Sequence, residues 1–124
     1  MPADSILIVD DNAANLKLVR IVLAAEGYGV LTASDAEEAL EVLRDFTPRL
    51  ILMDIQLPGM DGLELTRRLK ADPKTQGICI VGLTAYAMKG DEERIRAAGC
   101  DGYIAKPIDT RRLAGQLKEF LDPT

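Results

Sequence analysis

The segment Leu50-Ile51-Leu52-Met53-Asp54 decides the fold, because four apolar residues lead directly into one carboxylate. An apolar run without polar alternation is typical of a strand that is buried on both faces, as in parallel sheets. The next residues, Ile55-Gln56-Leu57-Pro58-Gly59-Met60-Asp61-Gly62, have the composition of a loop. Open α/β sheets bind ligands at the carboxyl ends of their strands, so Asp54 is expected outside the core, in such a site.

Four other segments have the same character, and helical patterns separate them. The predicted strands cover residues 6–9, 30–33, 50–53, 78–83 and 102–105. Strand and helix alternate five times, which predicts an α/β fold with a doubly wound parallel sheet. Five such units fit the flavodoxin-like strand order 2-1-3-4-5 with five helices. At 124 residues the chain is expected to form one domain, residues 1–124.

Short polar residues and glycines mark where the helices begin and end. Asn12 is a candidate N-cap for the first helix, which should end at Gly27. A capping box, either Ser34 with Glu37 or Asp35 with Glu38, opens the second. The remaining helices are predicted at residues 63–70 and 91–98, and after Asp109 or Thr110.

The composition excludes several classes of function. The net charge of −5 argues against a nucleic-acid surface, and no apolar run approaches the ~18 residues of a membrane span. The start lacks a basic signal region, so a cytoplasmic location is expected and Cys79 and Cys100 are expected to be reduced core residues. There is no histidine, so Ser-His-Asp and Cys-His nucleophiles are impossible, and any phosphohistidine donor must be another protein.

Polar groups stand at the ends of four predicted strands. Asp10-Asp11 ends the first, Asp54 the third, Thr84 the fourth and Lys106 the fifth. In the order 2-1-3-4-5 these strands are neighbours, so the side chains should converge at one edge of the sheet. Each residue alone has an ordinary interpretation as a cap, a turn residue or a solvated lysine. Their joint occurrence at four strand ends favours a functional site.

The chemistry of this set is that of phosphoryl transfer to an aspartate. Three neighbouring carboxylates repel one another, which would raise the pKa of one of them unless a cation joins them. Mg²⁺ binds one or two carboxylates, several waters and a phosphate oxygen. The lysine adds a positive charge and the threonine a hydroxyl donor, so the transfer needs mainly positioning and charge neutralisation.

The motifs Val9-Asp10-Asp11-Asn12, Leu52 through Gly62, Leu83-Thr84-Ala85 and Ala105-Lys106-Pro107 resemble those of receiver domains of bacterial two-component response regulators. The resemblance covers essentially the whole chain. It implies a phosphoacceptor switch rather than an enzyme. Phosphate would come from a histidine kinase or a histidine phosphotransfer protein, and the output would be binding to a downstream protein.

The resemblance also implies a role for each residue. Asp54 matches the phosphorylated aspartate, Asp11 a direct Mg²⁺ ligand, Asp10 its water-mediated partner and the Gln56 carbonyl the third protein ligand. The switch residues are Thr84, whose hydroxyl meets the phosphate, and Tyr103, which moves inward. Lys106 pairs with the phosphate, and its bond to Pro107 is expected to be cis.

The segment from Ala85 to Arg94 is similar to single-domain receivers of the DivK type, and to receivers within hybrid histidine kinases. A receiver cut from such a kinase therefore remains an alternative, although Met1 and the short tail after Leu121 favour a complete small protein. The charged helix from Asp91 is one candidate surface for docking the target.

Three other classes of protein share parts of this pattern. A Mg²⁺-dependent phosphohydrolase of the haloacid dehalogenase class needs a second Asp two residues after its nucleophile, where this chain has Gln56. An FMN carrier shares the fold, but Asp10-Asp11 would repel the flavin phosphate. A degenerate, unphosphorylated interaction domain would not require Asp54, Thr84 and Lys106 together.

Tyr86, two residues after Thr84, is predicted to slow loss of the phosphate by shielding the phosphoaspartate from water. Replacing it by Ala should therefore shorten the phosphate half-life. The half-lives of the parent and Tyr86→Ala, followed after removal of the phosphodonor, check this, and equal values would contradict it.

Overall fold

The computed structural model describes residues 5–57, 59–85 and 89–121, with only the backbone described for residues 89–91. Strands and helices alternate along it. The strands are β1 Ser5–Val9, β2 Gly29–Ala33, β3 Leu50–Asp54, β4 Cys79–Thr84 and β5 Gly102–Ala105. The helices are α1 Ala13–Ala25, α2 Ala36–Asp45, α3 Gly62–Ala71, α4 Lys89–Ala97 and α5 Leu113–Leu121.

The five strands form one parallel sheet in the order β2-β1-β3-β4-β5, which confirms the predicted topology. All five residues of β3 are buried, as the unbroken apolar run predicts for a central strand. Both of its neighbours lie in register with it: Val9 pairs with Met53, and Asp54 pairs with Leu83. The carboxyl ends of β1, β3 and β4 therefore meet at one edge.

Two apolar clusters cover the two faces of the sheet. The first joins alternate strand residues such as Ile51 and Ile80 to α2, α3 and α4. The second joins the intervening strand residues, such as Leu52 and Val81, to α1 and α5. Because side chains alternate across a strand, each strand contributes to both clusters, and the fold is doubly wound.

The helix starts follow the predicted capping chemistry. The Asn12 side chain accepts the backbone N–H of Asn15 at 3.1 Å and caps α1. In the second helix the pair is Asp35 with Glu38, since Asp35 accepts the Glu38 N–H at 2.8 Å. The Glu38 carboxylate reaches back to Ser34 rather than to the cap residue itself, so the box is one residue wider than usual.

Some predicted boundaries differ by one or two residues. Thr84 is the last residue of β4 rather than the residue after it, and Ile78 precedes the strand. The fourth helix begins at Lys89, two residues before the predicted start, and ends at Ala97, one residue before the predicted end. Gly99 has the positive φ that is typical of a residue following a helix. The last helix begins only at Leu113, beyond both candidate caps, and Asp109 accepts the N–H of Arg111 in the turn before it.

The two cysteines belong to the apolar interior. Cys100 is buried in the first cluster, and Cys79 packs against the second. Burial raises the pKa of Cys79 to about 11 and also raises that of Cys100, so both are neutral thiols at pH 7. Among the helices of the described residues, none combines the length and the apolar character that a membrane span requires.

Candidate functional site

Four polar residues lie at the carboxyl edge of the sheet, as the strand order predicts. Asp10 directly follows β1, Asp54 and Thr84 end β3 and β4, and Lys106 directly follows β5. The two carboxylates are far more enclosed than expected for residues outside the core, because Asp54 is only 2% exposed and Asp10 only 1%.

Asp54 is held by one contact to each carboxylate oxygen. The backbone N–H of Gln56 donates to Oδ1 at 2.9 Å, and the Nζ atom of Lys106 lies 3.1 Å from Oδ2. The Lys106 side chain is 20% exposed, so its charge faces the carboxylate with little water around it. An ammonium so close to a buried carboxylate compensates part of its lost hydration.

Asp10 also lies near Lys106, at a longer distance than Asp54. Its Oδ2 is 4.0 Å from the lysine Nζ and accepts a hydrogen bond of 3.3 Å from the Asn15 side chain. Its Oδ1 accepts the backbone N–H of Asn12 at 2.9 Å. The pKa of Asp10 is raised above the ordinary carboxyl value, first by burial and only to a lesser degree by the charge of Asp54. The expected rise is therefore present, but repulsion between carboxylates is not its main cause.

The carboxylates form a group that suits a hard cation. Asp10, Asp11 and Asp54 each offer an oxygen atom, and these three atoms lie within 4.8 Å of one another. Asp11 is exposed and the other two are buried, so an ion could enter the site from solvent on the side of Asp11. Oxygen donors of this kind match the preference of Mg²⁺. The ligand role of the Gln56 carbonyl stays a prediction.

Thr84 and Tyr103 lie on the same face of the sheet. Tyr103 pairs in register with Gly82, and Thr84 follows two residues later on β4. The Tyr103 ring is half-buried and packs against the first cluster. The Lys106 N–H donates to the Thr84 carbonyl at 2.7 Å, and the bond from Lys106 to Pro107 is cis, as predicted.

Gly62 supports the loop that follows Asp54. Its N–H donates to the Ile55 carbonyl at 3.2 Å, at the first turn of α3. A Cβ atom at this position would collide with the Asp54 carbonyl and lie 2.7 Å from the Ile55 Cα. Glycine is required here because the helix start touches the backbone of the site.

Two parts of this arrangement were missed by sequence reasoning: the contact of Asn15 with Asp10, and the support by Gly62. The sequence did contain a signal for each. Asn15 is a polar residue three positions after the helix cap Asn12, and Gly62 directly follows the cap residue Asp61. Tyr86, proposed to shield the phosphate, lies outside the described residues, so its position stays a prediction.

Parallel strands carrying this cluster define a class of protein: an α/β domain with an acidic cation site and a lysine at its carboxyl edge. The response regulator receiver domain family matches residues 6–118, and the chain belongs to that family. It is 48% identical over 117 residues to the polar-differentiation response regulator DivK of Brucella anthropi, covering 94% of this chain and 95% of that protein.

Solved structures agree with this assignment. The chemotaxis response regulator CheY4 of Vibrio cholerae has a TM-score of 0.90 at 26% identity, over 94% of this chain and 98% of that one. The receiver domain of a sensor histidine kinase from Pseudomonas aeruginosa has a TM-score of 0.86 at 33% identity, over 96% and 98%. That structure holds a magnesium ion in its active-site cleft. The chain is thus a DivK-like receiver domain of two-component signalling, a family whose standard modification is phosphorylation of an aspartate.

We expect Gly62→Ala to destabilise the protein by about 1–3 kcal/mol, because the new methyl group must displace the backbone of Asp54. Gly115→Ala in α5 is the matched control. Nothing lies within 4 Å of a Cβ there, so it should be neutral or stabilise by about 0.5–1 kcal/mol. Urea unfolding measures both, and equal stability of the two variants would contradict the close approach.

The raised pKa of Asp10 means that the folded state holds this proton more tightly than the unfolded state. The resulting loss of stability begins as the pH rises through the ordinary carboxyl pKa of 3.8 and is complete above the raised value. We therefore expect metal-free Asp10→Asn to be more stable than the parent at pH 7, with a difference that shrinks towards pH 3.8. Thermal unfolding in EDTA measures this.

Glu41→Gln is the matched control for Asp10→Asn, because it removes one negative charge at an exposed position of α2. It should change the free energy of unfolding by less than about 0.5 kcal/mol. An equal gain in both variants would mean that relief of net negative charge, and not burial of Asp10, causes the effect.

Proposed function

We propose that this protein is a phosphoacceptor switch. It accepts a phosphoryl group on Asp54 from a histidine kinase or a histidine phosphotransfer protein, in a Mg²⁺-dependent reaction in the cytoplasm, and signals by binding another protein. The observation that carries the proposal is the ion pair of 3.1 Å between Asp54 and Lys106, placed beside a group of three carboxylates.

In this proposal one oxygen of Asp54 attacks the phosphorus atom of the donor's phosphohistidine. The P–N bond breaks, its electron pair stays with the imidazole, which takes up a proton, and an acyl phosphate forms on Asp54. Lys106 is already within 3.1 Å of the nucleophile, where its charge can also meet the oxygens of the arriving phosphoryl group. Such catalysis is mainly positioning and charge stabilisation.

The residues present fit a Mg²⁺ ion. Asp11 and Asp54 would hold it directly, Asp10 through water, and the Gln56 carbonyl would be the third protein ligand. When bound, the ion supplies positive charge against the oxygens of the transferred group. The carboxylates bind and orient it, and their proximity favours a divalent cation because, among the described residues, one ammonium lies within 4.0 Å of the buried Asp10 and Asp54.

Phosphorylation changes the charge beside Thr84, and this change supplies the switch. The Thr84 hydroxyl turns towards the phosphoryl group, and Tyr103 moves inward into the space that Thr84 vacates. The surface formed by α4, β5 and α5 changes shape as a result. The effect is a population shift between two states, driven by a local electrostatic change.

An exposed apolar surface next to the site supports the proposal that the phosphate donor is a protein. Leu18 and Ile21 on α1 are 42% and 58% exposed, which makes them two of the exposed large apolar residues of the described chain. Leu18 lines a cleft of about 370 Å³ together with Lys106, Pro107 and Ile108. A donor that packs on this apolar surface would bring its phosphohistidine to the side of the site where Lys106 lies.

A phosphohydrolase remains the second candidate, because it shares a nucleophilic Asp and Mg²⁺. Gln56 argues against it, since its side chain is exposed and an amide cannot act as a general acid. A hydrolase would turn over added phosphoesters, whereas the proposed switch would form one acyl phosphate per chain and stop.

Acetyl phosphate with Mg²⁺ tests the proposal. We expect one phosphoryl group per parent molecule, detected as a gain in mass, and none on Asp54→Asn or in the presence of EDTA. Beryllofluoride with Mg²⁺ should shift the amide resonances around Thr84 and Tyr103 in the parent alone. Equal behaviour of the parent and Asp54→Asn would refute the central claim.

A further inference from the structure

Both oxygens of the buried Asp10 carboxylate are held from the side of α1. The Asn12 backbone N–H donates to Oδ1 at 2.9 Å, and the Asn15 side-chain amide donates to Oδ2 at 3.3 Å. With a donor on each oxygen, rotation of the carboxylate about its Cβ–Cγ bond would break at least one hydrogen bond. The helix start therefore determines the direction in which Asp10 presents its oxygens.

The local sequence makes Asn15 available for this contact. Its backbone N–H is accepted by the cap residue Asn12, which places it three positions after the cap. A long acidic or amide side chain at that position usually reaches back to the backbone N–H of the cap. Here Asp10 already accepts that N–H, so the side chain at position 15 is free to serve Asp10.

Asn15 donates to the same Asp10 oxygen that lies closest to Lys106. The lysine Nζ is 3.1 Å from Asp54 Oδ2 but 4.0 Å from Asp10 Oδ2, the oxygen that Asn15 holds. Without the amide, this oxygen would lose its hydrogen-bond donor, and the Lys106 ammonium, 4.0 Å away, could replace it. A closer pair between Asp10 and Lys106 would weaken the contact with Asp54 and withdraw Asp10 from the cation site.

We propose that Asn15 is a positioning residue of the phosphorylation site, which holds the Asp10 carboxylate for the divalent cation and leaves Lys106 to Asp54. This inference rests on the proposed function and adds a residue outside the carboxylate group. Residues that orient metal-binding groups by hydrogen bonds typically change metal affinity 10- to 100-fold when replaced.

The test is a titration of the full chain with Mg²⁺, followed through the backbone amide resonances near Asp10 and Asp54. Asn15→Leu keeps the size of the side chain and removes the donor, and we expect its Kd for Mg²⁺ to rise about tenfold. Asn15→Ala serves as a second variant with the same expected direction. Gln76→Leu, the same kind of change at an exposed position far from the site, should keep the parent's Kd.

A double-mutant cycle separates positioning from a general effect on the helix. If Asn15 acts through Asp10, adding Asn15→Leu to Asp10→Asn should change the Kd less than twofold, because the carboxylate that it orients is gone. An equal tenfold loss in both backgrounds would overturn the inference. The inference would also be overturned if Asn15→Leu lowered the melting temperature in EDTA and lost Mg²⁺ affinity only in proportion to that loss of stability.

The outcomes distinguish the inference from the proposed function. The proposed function is supported if the parent binds Mg²⁺ and Asp54→Asn does not. If Asn15→Leu then binds Mg²⁺ as tightly as the parent, the positioning role alone fails. If the parent shows no Mg²⁺ binding that depends on Asp54, both proposals fail.

Discussion

The structure of this site depends on one ion pair, the contact of 3.1 Å between Lys106 and the buried carboxylate of Asp54. Two buried carboxylates cannot stay charged in a low-dielectric environment unless positive charge or hydrogen-bond donors compensate them. That compensation comes from the Lys106 ammonium, the backbone N–H groups of Asn12 and Gln56, and the side-chain amide of Asn15. It is incomplete at Asp10, whose pKa remains raised, and this residual cost favours the binding of a cation.

The parallel sheet is what makes this arrangement possible. Strands β1, β3 and β4 run side by side in one direction, so their carboxyl ends bring groups from distant parts of the chain to the same edge. The apolar clusters on both faces hold the strands, and hence the charged groups, in place. The chemistry thus lies on loops and strand ends, while the stability comes from the buried strands and helices beneath them.

Much of the fold could be predicted from the sequence, because its signals are local. Apolar runs without alternation indicated each central strand, and Asn12, Asp35 and Gly99 marked helix ends through hydrogen bonds or backbone angles that span only a few residues. The predicted ends of β4 were each wrong by one residue, at Ile78 and Thr84, because strand propensity changes gradually there. The strand order required a further argument from topology, since pairing between β1 and β3 joins segments more than 40 residues apart.

The sequence by itself determined the strand-and-helix alternation, the polar groups that end the strands, and the absence of histidine, which assigns any phosphohistidine to another protein. Only the tertiary structure decided how deeply Asp10 and Asp54 are buried, which of them Lys106 contacts more closely, and that Asn15 and Gly62 support them. The reason is physical: burial, ångström-scale distances and close backbone approaches arise from the packing of segments that are remote along the chain. Local sequence patterns carry no record of that packing.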